Sequence, residues 1–297
     1  MEKGMKWMMI VRRSGRVIEK STVCVPAGTQ ERSRREKTKG GTTALKQDEN
    51  ERNAEKRLAR VINCNFRPGD VLLMASWSEE AWPQLEAKAE KLAATHPEAS
   101  WEDRLVMAAE QEGSNWIRRI QRLKKARGGT ALLRYVIVAS DMDGKTGEAK
   151  RVHLHVLLPG WAKDLALETW KHGLVDVRNL REQDDYTPIA EYLLRQVRRR
   201  PDSKKYRTAQ NMDKPVVSIQ NIPGNMPLKV KKNEVVMRHN EEGPDRPRYL
   251  RVVDMNRKRP EVKAKGRFPD KYPDTTTGAH TRAGTYKRPK GKEADRG

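Results

Sequence analysis

The stretch Arg151-Val152-His153-Leu154-His155-Val156-Leu157-Leu158 decides how this chain folds. Apart from its first residue and two histidines it is apolar, and Pro159-Gly160 ends it. Alternate residues of a β-strand point to the same face of a sheet. His153 and His155 therefore project side by side, while Leu154 points into the core. The stretch predicts a buried strand that presents two imidazoles together.

The sequence on either side predicts a mainly antiparallel sheet. Residues 132–139 form another apolar run, and the short connection 141–147 is typical of a hairpin that joins the two runs. Further strands are predicted at 17–25, 71–77, 174–180, 216–219 and 249–253. Helices are predicted at 50–62, 79–95, 101–126, 163–172 and 187–200. Interleaved strands and helices with short connections indicate an α+β fold whose helices pack on a central sheet.

Charge is the first indication of a partner. The 297 residues include 62 Lys and Arg against 40 Asp and Glu, so the net charge is +22, which favours nucleic acid as a ligand over a merely charge-rich surface. One predicted helix face is strongly basic, and a solvated surface is the simplest explanation of it. Its residues are Arg118, Arg119, Arg122, Lys124 and Lys125. Two cysteines, Cys24 and Cys64, exclude a disulfide framework and a cysteine-based zinc site.

Composition also predicts the compartment and the division of the chain. No run approaches 20 apolar residues and the N-terminus lacks a secretory signal pattern, so we expect a cytoplasmic protein that does not enter a membrane. Residues 1–60 are expected to be a strand, a polar loop and a helix that pack on the core. Residues 61–254 form the main domain, with a helical insertion at 79–126, and residues 255–297 form a disordered basic tail.

Two features of the main domain carry chemistry. Paired neutral imidazoles suit a divalent metal ion, although a half-exposed strand can carry two histidines without one. Tyr192, on the helix that Thr187-Pro188 opens, shares a helix face with Arg195, Gln196 and Arg199. A tyrosine beside a metal ion and arginines can attack a phosphodiester, whereas a half-buried tyrosine between helix and sheet is the ordinary alternative.

Together these motifs resemble the HUH endonucleases. His153-Leu154-His155 in an apolar strand, followed about forty residues later by a helical Tyr192 with Arg195-Gln196, looks like the two signature motifs of that superfamily. The nearest resemblance is to rolling-circle replication initiators similar to filamentous-phage gene II protein. Four further segments carry it between about residues 10 and 225: 50–73 with its Asn-Phe-x-x-Gly-Asp turn, Trp170-x-x-Gly173, 205–211 and 214–216.

The resemblance implies a ferredoxin/RRM-like palm and a metal site. His153 and His155, with Asp141 as third ligand, are expected to hold Mg²⁺ or Mn²⁺. The family usually places a glutamate where this chain has Ser140, so Asp141 is the nearest substitute, and the other options are Asp143 and Glu148. The family's tyrosine helix commonly carries a lysine where this chain has Arg195, which binds phosphate with a different geometry.

The implied activity is the nicking and joining of single-stranded DNA at a replication origin of a plasmid, phage or integrated element. Tyr192 becomes joined to the 5′-phosphate, Arg195 and Gln196 assist it, and the freed 3′-hydroxyl primes synthesis by the host helicase and DNA polymerase. Expected DNA contacts are Arg199, Lys205, Arg207 and Lys214. The chain has no phosphate-binding loop of the helicase type, so a built-in helicase is not expected.

Other readings remain open from the sequence. A non-catalytic nucleic-acid-binding protein would use the histidines only structurally, and a single-tyrosine transposase of the same superfamily is a nearer rival. Tyr186 lies at the edge of the helix and is not expected to act as a second nucleophile. Tyr206 is expected to stack on bases or to pack. The remaining histidines show no ligand spacing and are expected at the surface: His96, His172, His239 and His280.

Overall fold

The structure is a computed structural model that describes residues 4–27, 44–198, 204–240, 246–258 and 285–286. Arg199, His280 and most of the predicted tail, 255–297, lie outside the described residues. The strands are β1 (Met5–Ser14), β2 (Val17–Pro26), β3 (Val71–Ser76), β4 (Val136–Met142), β5 (Ala149–Leu158), β6 (Val175–Asn179), β7 (Arg207–Thr208), β8 (Val216–Ile222), β9 (Glu234–Asn240), β10 (Tyr249–Asp254) and β11 (Thr285–Tyr286). The helices are α1 (Ala44–Asn65), α2 (Trp82–Leu92), α3 (Trp101–Ala126), α4 (Lys163–Thr169) and α5 (Thr187–Arg195), with a 3₁₀ turn at Gly160–Ala162.

A six-stranded antiparallel sheet carries the histidine strand at its centre. Its order is β11-β6-β3-β5-β4-β7, so β5 pairs with β3 on one side and β4 on the other. On one face, Leu154 and Val156 are fully buried in a core that includes residues of α2, α3 and α4. On the other, Leu157 packs with residues of α1 and α5. The predicted α+β class and the antiparallel hairpin are confirmed.

The first two strands belong to a second antiparallel sheet. Its order is β8-β1-β2-β10-β9, so the hairpin β1–β2 is flanked by strands that follow residue 215. This sheet therefore combines residues of the predicted segments 1–60 and 61–254. Helix α1 packs against α5 beneath the six-stranded sheet, where Leu58 and Ile62 are fully buried.

Several predicted boundaries move: α1 begins at Ala44 rather than at residue 50, α4 ends at Thr169 rather than at 172, and two more shifts have a visible cause. Strand β4 begins at Val136 rather than at residue 132, because its partner β5 ends at Leu158, before Pro159. Helix α5 ends at Arg195 rather than at residue 200. There the Asp141 amide donates to the Gln196 carbonyl, so the chain after Arg195 bonds to β4 instead of continuing the helix.

The Asn-Phe-x-x-Gly-Asp turn between α1 and β3 has a structural role. Asn65 is fully buried, and its side chain exchanges two hydrogen bonds with the backbone of Asp213. The Asp70 carboxylate accepts from the amides of Arg67 and Gly160, both at 3.0 Å. Burial raises the pKa of Asp70 to about 6, against the opposing effects of Arg134 and these amides. The turn thus ties the start of β3 to two distant loops.

None of the helices in the described part of the chain combines the length and apolar character needed to cross a lipid bilayer.

Candidate active site

The two histidines of β5 meet on the α5 face of the six-stranded sheet. Their Nε2 atoms lie 3.1 Å apart, and the rings are nearly perpendicular. Nδ1 of His153 lies 3.1 Å from the carbonyl oxygen of Arg151, and only a protonated Nδ1 can donate to that oxygen. This hydrogen bond leaves the lone pair on His153 Nε2, the atom that faces His155.

Burial keeps both imidazoles neutral. His155 is 2% exposed, and burial followed by the nearby His153 lowers its pKa to about 3. The pKa of His153 is also lowered, mainly by burial. Nδ1 of His155 is buried and has no hydrogen-bond partner among the described residues. Two uncharged nitrogen ligands are therefore present at neutral pH without competition from protons.

Asp141, the expected third ligand, binds elsewhere. One carboxylate oxygen accepts from the Arg198 amide at 3.1 Å and the other pairs with the Arg198 guanidinium at 3.2 Å. These bonds hold the end of α5 against β4. Within the described ranges, no three His, Cys, Asp or Glu side chains form a metal-ligating group. The structure therefore gives Asp141 a positioning contact, and its role as a ligand stays a prediction.

Two other polar side chains adjoin the histidines. Gln196 lies beside both imidazoles, and its Nε2 donates to the Tyr192 carbonyl at 3.1 Å. This bond occupies the amide nitrogen and leaves the amide oxygen available as a ligand. Ser140 lies directly opposite His153 in the β4–β5 register and is fully buried, and its hydroxyl has no partner among the described residues. The sequence singled out both positions. It did not predict that their oxygen atoms would lie beside the histidines as possible metal ligands.

Tyr192 lies beside this cluster at the surface. Its side chain is on α5, the residue is 41% exposed, and its ring centroid is 5.7 Å from that of His155. Lys150, at the start of β5, acts electrostatically on the same tyrosine. The pKa of Lys150 is raised, chiefly by its hydrogen bond and ion pair with Asp143 and more weakly by Tyr192. Sequence reasoning missed Lys150, because its place opposite α5 depends on how the hairpin turns.

The remaining predicted site residues are spread over the surface. Arg195 is exposed on the last turn of α5 and influences Glu55 of α1 electrostatically. Lys205 is nearly buried in an ion pair with Glu51 at 2.8 Å, whereas Arg207 pairs with Glu110 of α3 at 3.0 Å. Lys214 is exposed. Of these predicted DNA contacts, Lys205 and Arg207 are both held in ion pairs within the chain, and the Lys205 pair is the less exposed.

Other predicted alternatives also have defined positions. Asp143 accepts from the amides of Lys145 and Thr146 and thus closes the hairpin turn, and Glu148 binds the Thr146 hydroxyl at 3.2 Å. Tyr186 is 3% exposed, and its hydroxyl donates to the Arg181 carbonyl. Tyr206 packs against the core that includes α1 and α5. The expectation that Tyr186 does not share a site with Tyr192 agrees with this burial.

The Trp170-x-x-Gly173 segment closes the same end of the sheet from the opposite face. Trp170 is buried and donates to the Ser76 carbonyl at 3.3 Å, and Ser76 pairs with His153. Gly173 has φ +152°, and a Cβ there would lie 2.5 Å from the Ser78 nitrogen. Only glycine allows this close approach. His172 is not a simple surface residue, since its side chain is 14% exposed and stacks on Trp77.

The cluster fits a small divalent cation. Two nitrogen ligands at right angles on one ion, each about 2.1 Å from it, lie about 3 Å apart. The observed Nε2 separation of 3.1 Å matches this value. The neutral rings supply two nitrogen ligands, which a transition-metal ion such as Mn²⁺ accepts more readily than the oxygen-preferring Mg²⁺.

No family model matches the chain, and no curated protein or solved structure matches it either.

Proposed function

We propose that this protein is a metal-dependent enzyme that nicks and rejoins single-stranded DNA through a covalent tyrosine intermediate. The observation that carries the proposal is the exposed Tyr192 ring packed against His155, whose Nε2 lies 3.1 Å from that of His153. A nucleophile at the surface beside buried neutral nitrogen ligands suits phosphoryl transfer with a metal ion. The same features support the HUH endonuclease assignment.

The metal site in this proposal consists of His153, His155 and the Gln196 amide oxygen. A bound Mg²⁺ or Mn²⁺ would polarise the scissile phosphate and stabilise its developing negative charge. The hydrogen bond from His153 Nδ1 to the Arg151 carbonyl fixes the imidazole orientation and directs Nε2 to the ligand. Asp141 fixes Gln196 indirectly, since it holds residues 196–198 against β4.

Tyr192 supplies the nucleophilic oxygen. The phenol gives its proton to water as its oxygen bonds to phosphorus, the bond from phosphorus to the 3′-oxygen breaks, and that oxygen takes a proton from water to become a free 3′-hydroxyl. The phosphotyrosine conserves the energy of the phosphodiester, so the reverse transfer can reseal the strand without a nucleotide cofactor.

A net charge of +22 supports a nucleic acid as the substrate. In this proposal, the protein acts in the cytoplasm at the origin of a replicating element and initiates rolling-circle synthesis. Host helicase and DNA polymerase extend the 3′-hydroxyl that the cleavage releases.

The test is the formation of a covalent adduct with single-stranded DNA. The protein is incubated with a pool of labelled single strands and Mn²⁺, and adducts are resolved on a denaturing gel. Tyr192→Phe should abolish the adduct and leave DNA binding within about twofold, because only the phenolic oxygen is lost. Tyr206→Phe is the matched control, since it removes the same atom from a ring packed elsewhere. An adduct that persists in Tyr192→Phe would contradict the proposal.

A further inference from the structure

A cavity of about 370 Å³ lies on the face of the six-stranded sheet opposite Tyr192, between α2, α3 and the segment 170–173. Seven side chains line it: Lys88, Glu112, Asn115, Arg118, Arg119, Arg122 and His172. We call it the Glu112 pocket. Helix α3 packs closely on the sheet beneath the pocket. A Cβ added at Gly113 of this helix would lie 3.2 Å from Leu154. Leu154 points away from the histidines, so the pocket is distinct from the candidate active site.

The pocket is built around one buried carboxylate. The Glu112 side chain is 3% exposed and binds Lys88, Arg119 at 2.9 Å and His172 at 2.9 Å. Burial raises the pKa of Glu112, but the hydrogen bonds from these three partners outweigh it and hold the pKa well below its usual range. An ionised Glu112 therefore fixes three donors from three different elements around the cavity.

Positive charge in the pocket exceeds what Glu112 can neutralise. Four Lys and Arg side chains line it against one carboxylate. Arg118 hydrogen-bonds Asn115 at 3.0 Å, and Arg122 makes no ion pair with another residue in the described ranges. Both guanidinium groups are on the exposed side of α3, one helical turn apart. Like charges at this spacing repel, and an anion with several negative oxygens removes that repulsion.

The wall of the pocket is closely packed and lies at the end of the sheet that carries His153. His172 contacts the rings of Trp77 and Trp170, and the close approach of Gly173 fixes this segment against the end of β3. Ser76, the last residue of β3, pairs with His153. The pocket and the histidines are therefore at the same end of the sheet, on its two faces.

We propose that the Glu112 pocket binds backbone phosphates of single-stranded DNA at the end of the sheet that also carries the two histidines. Its lining, as the structure describes it, has no Trp, Tyr or Phe on which a base can stack, so the contact is to phosphate rather than to sequence. Paired guanidinium groups bind phosphate oxygens with two hydrogen bonds each. The choice of DNA as the source of phosphate rests on the proposed function, whereas the anion site does not.

The first test is the salt dependence of binding. Arg118→Gln with Arg122→Gln should lower the slope of log K against log salt by about 1.4, because each single-strand phosphate contact contributes about 0.7. The control is Lys91→Gln with Lys125→Gln, which removes the same charge from exposed positions on α2 and α3 outside the pocket. The control should change the slope by less than half as much. Equal slopes for the two double variants would overturn the proposal.

The second test distinguishes a DNA strand from a small phosphate ligand. Inorganic phosphate and AMP are added at constant ionic strength to the wild-type protein bound to a labelled single strand. DNA should remain bound at millimolar concentrations of both competitors. Displacement by AMP at these concentrations would identify a nucleotide pocket and overturn the assignment to a strand.

Both tests measure binding and are independent of cleavage. If the wild-type protein forms no covalent adduct, the proposed nicking activity fails while the slope comparison still decides the role of the pocket. If the adduct forms, the Arg118→Gln and Arg122→Gln variant should form it to the same extent at saturating DNA. A loss of adduct at saturation would place these arginines in the reaction and overturn their assignment as strand contacts.

Discussion

The two faces of the six-stranded sheet present opposite kinds of polar chemistry at the same end. On the α5 face, burial suppresses charge, so that two imidazoles are neutral beside an exposed tyrosine. On the α2–α3 face, a buried carboxylate gathers charge and leaves more cations than it neutralises. The difference teaches that one sheet can separate two kinds of polar site, which in the proposed function divide bond breaking from strand holding, with β5 between them.

Exchanging histidines for alanine should give the largest contrast between the faces. His155→Ala removes a nitrogen ligand, so we expect the covalent adduct to disappear while the Kd for single-stranded DNA stays within about twofold. His172→Ala, on the other face, should leave the adduct at saturating DNA intact and weaken binding by a few fold. Gel quantification of adduct and fluorescence anisotropy measure the two outcomes. Equal effects of the two substitutions on adduct formation would abolish the distinction between the faces.

Gly173→Ala should damage both faces at once, because this residue joins the pocket wall to the end of β3. The added Cβ would meet the Ser78 nitrogen at 2.5 Å and the Ser76 oxygen at 2.6 Å. We expect a loss of about 4 kcal/mol in the free energy of unfolding, from steric overlap added to backbone strain. Urea denaturation followed by circular dichroism measures it.

The matched control for this substitution is Gly224→Ala. Gly224 has φ +156°, close to that of Gly173, but a Cβ there would meet nothing within 4 Å. It should therefore cost only the strain, about 1 to 2 kcal/mol. If both variants lose the same stability, the close approach at Gly173 is not what fixes the segment.

Asp70→Asn should change the pH dependence of stability and leave the polar sites on both faces in place. The pKa of Asp70 is raised from 3.8 to about 6, so the folded protein binds a proton more tightly than the unfolded chain. The resulting stability is present below pH 4 and lost as the pH rises through 6, by up to about 3 kcal/mol. The difference in unfolding free energy between wild type and variant, followed from about pH 4 to pH 7, should decline by this amount. A difference that stays constant or grows with pH would contradict the assigned shift.

Local sequence patterns predicted much of this architecture because they act through neighbours in the chain. The apolar alternation of 151–158 and the short turn before it predicted the central hairpin, which β4 and β5 form. Strand β1 was missed, since its methionine-rich sequence signals a strand only when β2 and β8 pair with it. Strand β9 was missed too, because its apolar side chains, Val235 among them, are half exposed at a sheet edge.

The candidate site was predictable in its residues and less so in its contacts. The period-two spacing of His153 and His155 predicted one shared face, and their Nε2 atoms do meet there. The contact between Asp141 and Arg198 depends on where α5 ends, which is a tertiary effect. The basic run on α3 had a solvated surface as its simplest explanation, and only the approach of Lys88 and His172 turns it into a pocket.

The hydrogen bonds that join β2 to β10 cross almost the whole chain, as the 226-residue separation between Thr22 and Arg248 illustrates. A ribosome therefore makes the β1–β2 hairpin long before its partners β8 and β10 exist. Until they emerge, both edges of that hairpin are unpaired and open to association with other nascent chains. Fragments that stop before Val216 retain β3 to β7 but leave those edges permanently uncovered. We expect such fragments to aggregate during expression, while chains that continue past Asp254 stay in solution.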